Sequence, residues 1–201
     1  EHKHYALIVS GFGRNDWVFL EGANKMHQAL VNIGYSPEDI TFLAPIKGDL
    51  NPNWDREAHF SEKVKKEMAD KNISQFISSS VVDGLTSPMN FRLSVEAIQA
   101  KMTDKDSLFV YMLAHGKKNR AFALGEPVGK RQAMGAHDKI RGSSASLTSK
   151  RFSQVLVGRG QACEIMLLID SCYSAVHNPK LKYYFEKNKD NVQRMQVAHS
   201  T

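Results

Sequence analysis

Cysteine and long hydrophobic runs are both scarce in this sequence. Two cysteines among 201 residues exclude a disulfide framework, and their positions match no cysteine-based zinc motif. No apolar stretch reaches the roughly 18 residues of a membrane-spanning helix, so we expect no membrane span. No repeat of about 20 to 50 residues is present. The sequence leaves open whether Cys163 and Cys172 pair with each other.

Charge of one sign is not concentrated in any part of the chain. The sequence has 27 Lys and Arg against 21 Asp and Glu, a net charge of +6, which permits attraction to acidic partners. The basic residues are scattered, and no nucleic-acid-binding motif of known spacing is present. Lys63, Lys65 and Lys66 stand between Glu62 and Glu67, a pattern typical of a solvated helix face. We therefore expect no nucleic-acid partner.

Composition and length indicate one globular domain over residues 1–201. Hydrophobic residues make up 42% of the chain and charged residues 24%, close to the averages of globular proteins. The length also fits a single domain. Because the first residue is Glu1 rather than Met, we expect a fragment or a processed chain, and the compartment is left open between soluble, secretory and periplasmic locations.

Short apolar runs bounded by turn residues predict the strands of a sheet. Five such runs and a weaker sixth lie at residues 5–9, 40–43, 76–82, 108–113, 165–169 and 192–198. Between the runs, apolar residues recur three and four positions apart, which predicts helices. These helical patterns cover residues 22–33, 55–71, 91–102 and 147–156.

This alternation of strands and helices predicts an α/β fold. We expect a three-layer sandwich in which helices flank a mostly parallel central sheet. Right-handed crossovers bring the carboxyl ends of the strands to one edge, and binding sites form outside those ends. The long basic stretch at residues 125–150 predicts a mobile loop and a processing site.

Two predicted strands lead into residues that can carry chemistry. The run 108–113 is followed closely by His115 and Gly116, and the run 165–169 by Asp170-Ser171-Cys172. A lone His-Gly pair or a lone cysteine is structural far more often than catalytic. At the ends of two strands of one sheet, however, the histidine and the cysteine can approach each other.

A thiol beside an imidazole supports nucleophilic catalysis. A thiol with the ordinary pKa near 8.5 is mostly protonated at neutral pH, and a neighbouring imidazole can take its proton or stabilise the thiolate. Attack on a carbonyl creates an oxyanion that backbone N–H groups must receive. Gly116 and Cys172 offer the natural N–H donors, because a glycine can be approached closely.

Histidine is plentiful, but no metal or cofactor site is indicated. Of the eight histidines, His2 and His4 are close in sequence, and no His-Glu-x-x-His spacing is present. His177 and His199 are weaker candidates than His115 for the catalytic base. The Ser-Gly-Phe-Gly stretch at residues 10–13 lacks the residues of a phosphate-binding loop. We expect neither a metal nor a cofactor.

The strand-end segments resemble those of the caspase-like cysteine peptidases, the group of caspases, metacaspases and legumains. Asp-Ser-Cys-Tyr-Ser at residues 170–174 is similar to the Asp-Ser-Cys-His-Ser-Gly box of metacaspases and the Glu-Ala-Cys-Glu-Ser-Gly box of legumains. Residues 5–11, 17–30 and 147–152 resemble legumains, so the resemblance extends over most of the chain. The caspases also carry their histidine about 50 residues before their cysteine.

The resemblance implies a caspase-like fold and a cysteine endopeptidase acting on protein or peptide substrates. By match, Cys172 is the nucleophile, His115 is the general acid and base, and Gly116 helps to form the oxyanion hole. Asp170 stands where this group often has an acidic residue lining the pocket for P1, the substrate residue before the scissile bond.

Three charged residues favour different side chains at P1, so its identity is left open. Glu21 stands in the segment where legumains have Arg-His, and together with Asp170 it would favour a basic P1 side chain. Arg14 would instead favour an acidic or amide side chain. On balance we expect Arg, Lys or Asn at P1 rather than Asp.

Two further expectations follow from the resemblance. In this family the last core strand follows a segment like residues 197–201, so we expect a C-terminal segment or a second chain to complete the site. The alternative to an enzyme is a non-catalytic caspase-like interaction domain, a pseudo-peptidase. The presence of both His115 and Cys172 favours the enzyme, since an interaction domain needs neither.

Overall fold

The computed structural model describes residues 2–11, 17–44, 66, 82–117, 121–124, 146–157 and 162–199. Within these residues the strands are β1 (His4–Ser10), β2 (Ile40–Ala44), β3 (Gly84–Leu85), β4 (Ser107–Leu113), β5 (His115–Lys117), β6 (Ala121–Ala123), β7 (Ser146–Thr148), β8 (Ala162–Asp170) and β9 (Val192–His199). The helices are α1 (Trp17–Asn32), α2 (Pro88–Gln99), α3 (Ser149–Val157) and α4 (Asn178–Lys187), with short 3-10 helices at Pro37–Asp39 and Ser174–His177.

The strands form two sheets of different kinds. Six of them form a sheet in the order β3-β2-β1-β4-β8-β9, and every neighbouring pair in it is parallel. The other three form a small antiparallel sheet in the order β5-β6-β7. The predicted α/β class and the mostly parallel central sheet are therefore confirmed.

Side chains of the central strands alternate between its two faces. In β1, Tyr5, Leu7 and Val9 belong to one hydrophobic cluster, whereas Ala6 and Ile8 belong to a second. This is the two-residue period of a strand, and here both sets of positions are apolar because both faces of the sheet are covered.

Helices cover each face of the central sheet. Helix α1 packs on one face through residues three and seven positions apart along one stripe, Leu20, Ala23 and Leu30. Helices α2, α3 and α4 pack on the opposite face, where their buried residues include Phe91, Phe152 and Leu181. Burying each large apolar side chain contributes about 1.5–3 kcal/mol. The arrangement is compatible with the predicted three-layer sandwich.

The structure differs from the prediction at several element boundaries. Helix α1 begins at Trp17, five residues before the predicted start, and Leu147 lies in β7 rather than in the helix that follows it. The weak sixth strand is present as β9. The predicted strand at 76–82 and the predicted helix at 55–71 lie outside the described residues except for Val82, which is not in a strand, and Lys66, which is helical.

The sequence patterns do not predict helix α4, strand β3 or the three short strands of the small sheet. Helix α4 is rich in lysine, and Leu181 is its one fully buried residue. The strands of the small sheet have three residues each, too few for a periodic pattern. None of the helices in the described part of the chain has the length and apolarity to cross a membrane.

Candidate active site

Strands β4 and β8 end side by side at the carboxyl edge of the central sheet. Leu113 is the register partner of Asp170, and the backbone N–H of Ala114 donates to the carbonyl of Asp170 at 3.3 Å. His115 and Cys172 each lie two residues beyond this pair. The parallel register therefore places the two predicted catalytic residues after neighbouring strands at the same edge of the sheet.

Gly116 packs directly against the backbone of Cys172. A Cβ atom at Gly116 would overlap the carbonyl group of Cys172 and would lie 3.3 Å from Ser171 Oγ. The glycine is required here by this close approach, since any side chain would push the two segments apart. Ser171 Oγ is buried at the same contact without a hydrogen-bond partner in the described structure. The predicted Gly116 and Cys172 are thus in contact.

The turn that carries Cys172 is tight, and one of its residues has a strained backbone. Cys172 is exposed and its thiol is free. Tyr173 follows it with φ 58° and ψ 26°, the left-handed region that costs a non-glycine residue about 1 kcal/mol or more. The N–H groups of Ser174 and Val176 donate to the carbonyls of Ser171 and Tyr173 at 3.2 and 3.0 Å.

His115 opens the small sheet and packs on helix α1. It is the first residue of β5 and is exposed. The ring of Phe19 meets the imidazole edge-on, with centroids 4.8 Å apart and an interplanar angle of 65°. Edge-to-face arrangements of this kind are favoured between aromatic rings. Phe19 could not be predicted in this role, because the contact joins helix α1 to a strand far along the chain.

Asp170 is held by a tyrosine from the neighbouring strand. The Tyr111 hydroxyl donates to Asp170 Oδ2 at 3.4 Å. Burial, and then the charge and hydrogen bond of Asp170, raise the pKa of Tyr111 far above its ordinary value. Tyr111 therefore stays a protonated donor at any physiological pH, and it hydrogen-bonds the carboxylate that is predicted to bind the substrate.

The other two predicted pocket residues are not brought to this group by the structure. Glu21 lies on helix α1 and forms an ion pair with Lys25 Nζ at 2.7 Å, so its charge already has a partner one turn away. Arg14 lies outside the described residues. Their roles in substrate binding stay predictions.

His177 lies just behind the Cys172 turn and is buried, with 1% of its surface exposed. Its Nδ1 is 2.7 Å from the hydroxyl of Ser149, and its ring stacks on Phe122 with centroids 3.8 Å apart and an interplanar angle of 10°. Burial, and secondly the charge of nearby His199, lower the pKa of His177 to about 4. Its neutral ring is enclosed, unlike that of the exposed His115.

His199 ends β9 and has its own hydrogen bond. Its Nε2 lies 2.8 Å from Asn178 Oδ1, and burial lowers its pKa. Neither His177 nor His199 therefore replaces the exposed His115 as the candidate base.

Comparison with known sequences adds no assignment, since no family model and no curated protein matches this chain.

Proposed function

We propose that this protein is a cysteine endopeptidase that hydrolyses peptide bonds with Cys172 and His115. The observation that carries the proposal is the packing of Gly116 on the backbone of Cys172. That contact joins a His-Gly segment to an exposed free thiol. Nucleophilic catalysis needs such a pair within reach of each other and of the substrate.

The proposed reaction has two steps. His115 takes the thiol proton, and the Cys172 sulfur attacks the scissile carbonyl carbon. The resulting oxyanion would be received by the N–H groups of Gly116 and Cys172. When the C–N bond breaks, His115 returns the proton to the leaving amine and a thioester remains. Water, deprotonated by His115, then attacks the thioester, releasing the acid product and the thiol.

The proposed P1 preference is for a basic side chain, with asparagine as the second choice. Asp170 supports it, because a carboxylate oriented by Tyr111 can accept the donors of a guanidinium, an ammonium or an amide. Glu21 would add negative charge only if it left Lys25. We also propose that the fold is caspase-like. The parallel order of the central sheet and the helices on both of its faces support this proposal.

The proposal is tested with fluorogenic peptides that carry each of the twenty residues at P1. Cys172→Ala and His115→Ala are assayed beside the parent chain, and Cys163→Ala is the matched cysteine control. We expect cleavage to fall by a factor on the order of 10³ or more in the first two variants and to persist in the third. Cleavage that survives Cys172→Ala would overturn the proposal, as would no cleavage of any peptide combined with equally slow alkylation of both cysteines.

A further inference from the structure

Four residues form a closed ring of contacts around the Cys172 turn. Gly116 packs on the Cys172 backbone, and Gly116 is the register partner of Phe122 in the small sheet. The Phe122 ring stacks on His177, and His177 ends the 3-10 helix that begins two residues after Cys172. The turn is therefore attached to the small sheet at its beginning and at its end.

The His177 ring makes further contacts besides its stack on Phe122, and these also connect it to the small sheet and to helix α3. Ser149, whose hydroxyl lies 2.7 Å from His177 Nδ1, is the first residue of α3 and directly follows β7. Strand β7 is hydrogen-bonded to β6, the strand of Phe122. The ring of Phe152 also meets that of His177 edge-on, with centroids 6.2 Å apart. His177 is therefore in contact with both strand β6 and helix α3.

We propose that His177 is a positioning residue that holds the Cys172 turn against the His115–Gly116 strand. This inference rests on the proposed peptidase function and adds a part to it. His177 acts through the backbone of residues 173–176 and touches no reacting atom. Without its side chain, the turn loses its contact with the small sheet at this point, and a shift of about 1 Å at the sulfur is enough to lower a rate by a factor on the order of 100.

The positioning role of His177 depends on the neutral form of its imidazole. Phe122, Phe152 and Ser149 are uncharged, and His199 is the titratable neighbour whose charge acts on His177. A proton on His177 would place a charge among aromatic rings with no carboxylate to pair it in the described surroundings, which is costly in a buried site. Acidification should therefore weaken the contact between His177 and the small sheet.

Three variants separate the parts of this contact. His177→Asn keeps a polar atom near the position of Nδ1 for Ser149 but loses the stacked ring. His177→Phe keeps the ring but loses the hydrogen bond, and Ser149→Ala removes the partner. The matched control is His27→Phe, because His27 is also a buried histidine that stacks on a phenylalanine, Phe42, with centroids 6.1 Å apart, but it lies on α1.

The readouts are kcat and KM on the best peptide, the rate of iodoacetamide alkylation of Cys172 as a function of pH, and the melting temperature. We expect His177→Asn, which loses the ring stacked on Phe122, to lower kcat and alkylation by roughly 10- to 100-fold with KM within about twofold. His177→Phe and Ser149→Ala, which each lose only the hydrogen bond, should lower the same quantities by less. His27→Phe should lower the melting temperature alone.

Three outcomes are decisive. If the His177 variants lower the melting temperature but leave kcat and the alkylation profile as in the parent, His177 is merely structural and the inference is overturned. If His27→Phe changes alkylation as strongly as His177→Phe, the effect is not specific and the inference is also overturned. If the parent chain cleaves no peptide and its Cys172 reacts like an ordinary thiol, the proposed function fails, and the inference fails with it.

Discussion

The α-carbon of Gly116 lies against the carbonyl group of Cys172 with no room for a methyl group between them. The contact joins two segments that are far apart in the sequence, and it sets the distance between the candidate base and the candidate nucleophile. The two atoms that a Cβ at Gly116 would meet first are the carbonyl oxygen and carbonyl carbon of Cys172, which belong to the backbone and not to a flexible side chain. Relief of an overlap there therefore requires movement of the chain itself.

The first prediction concerns this contact. Gly116→Ala should lower peptide cleavage by a factor on the order of 100 or more, because the new methyl group must displace the Cys172 turn from β5. The measurement is kcat/KM on the best peptide, beside the melting temperature.

Gly34→Ala is the matched control for that variant. Gly34 has φ 103° and open space around its Cβ position, so alanine there should destabilise the protein by about 1 kcal/mol without lowering activity per folded molecule. Equal activity of the two variants would contradict a functional role for the Gly116 contact.

The second prediction concerns the choice of substrate. Asp170→Asn removes a negative charge while keeping the size of the side chain, so cleavage after Arg and Lys should fall by roughly 10- to 100-fold relative to cleavage after Asn. Tyr111→Phe removes the hydroxyl that orients Asp170 and should give a smaller change in the same direction. If Asp170→Asn left the ratio of cleavage after Arg or Lys to cleavage after Asn unchanged, the Asp170 carboxylate would not determine the choice of P1 residue.

The third prediction concerns stability at low pH. The pKa of His177 is about 4 in the folded protein against 6.5 in the unfolded chain. Between these values the unfolded chain binds a proton that the folded protein does not, so stability falls as the pH falls. From pH 7 to pH 5 this histidine should remove about 2 kcal/mol from the free energy of unfolding.

Urea unfolding at pH 7 and pH 5 measures that loss. The His177→Phe variant should lose less stability over this interval than the parent chain does, because its residue 177 cannot be protonated. The His27→Phe control keeps His177 and should keep that part of the dependence. Parallel curves for the parent and His177→Phe would refute the assignment of a buried neutral imidazole.

The sequence predicts the centre of this fold better than its margins. Strands β1, β4 and β8 are apolar on both faces, so their runs are visible without any knowledge of partners. Helix α4 and the small sheet were missed because they are held by neighbours and carry little pattern of their own.

The same distinction applies to the candidate site. His115, Gly116, Asp170 and Cys172 could be identified because each follows a recognisable strand, and parallel strands end at one edge. The supporting residues Phe19, Tyr111 and His177 could not be identified in these roles. Their contacts depend on the strand register and on the packing of helix α1, and no short stretch of sequence contains either of these.

The antiparallel pairing of β6 with β7 has a consequence for the continuity of the chain. Ala123 and Ser146 are register partners, so the two residues that flank residues 124–145 are neighbours across a ladder, about 5 Å apart. The site is built from what lies on either side of that junction. If the backbone were cut between Ala123 and Ser146, the β6–β7 ladder and the hydrophobic core would still hold the two pieces together. Gly116 on the first piece would still be in contact with Cys172 on the second.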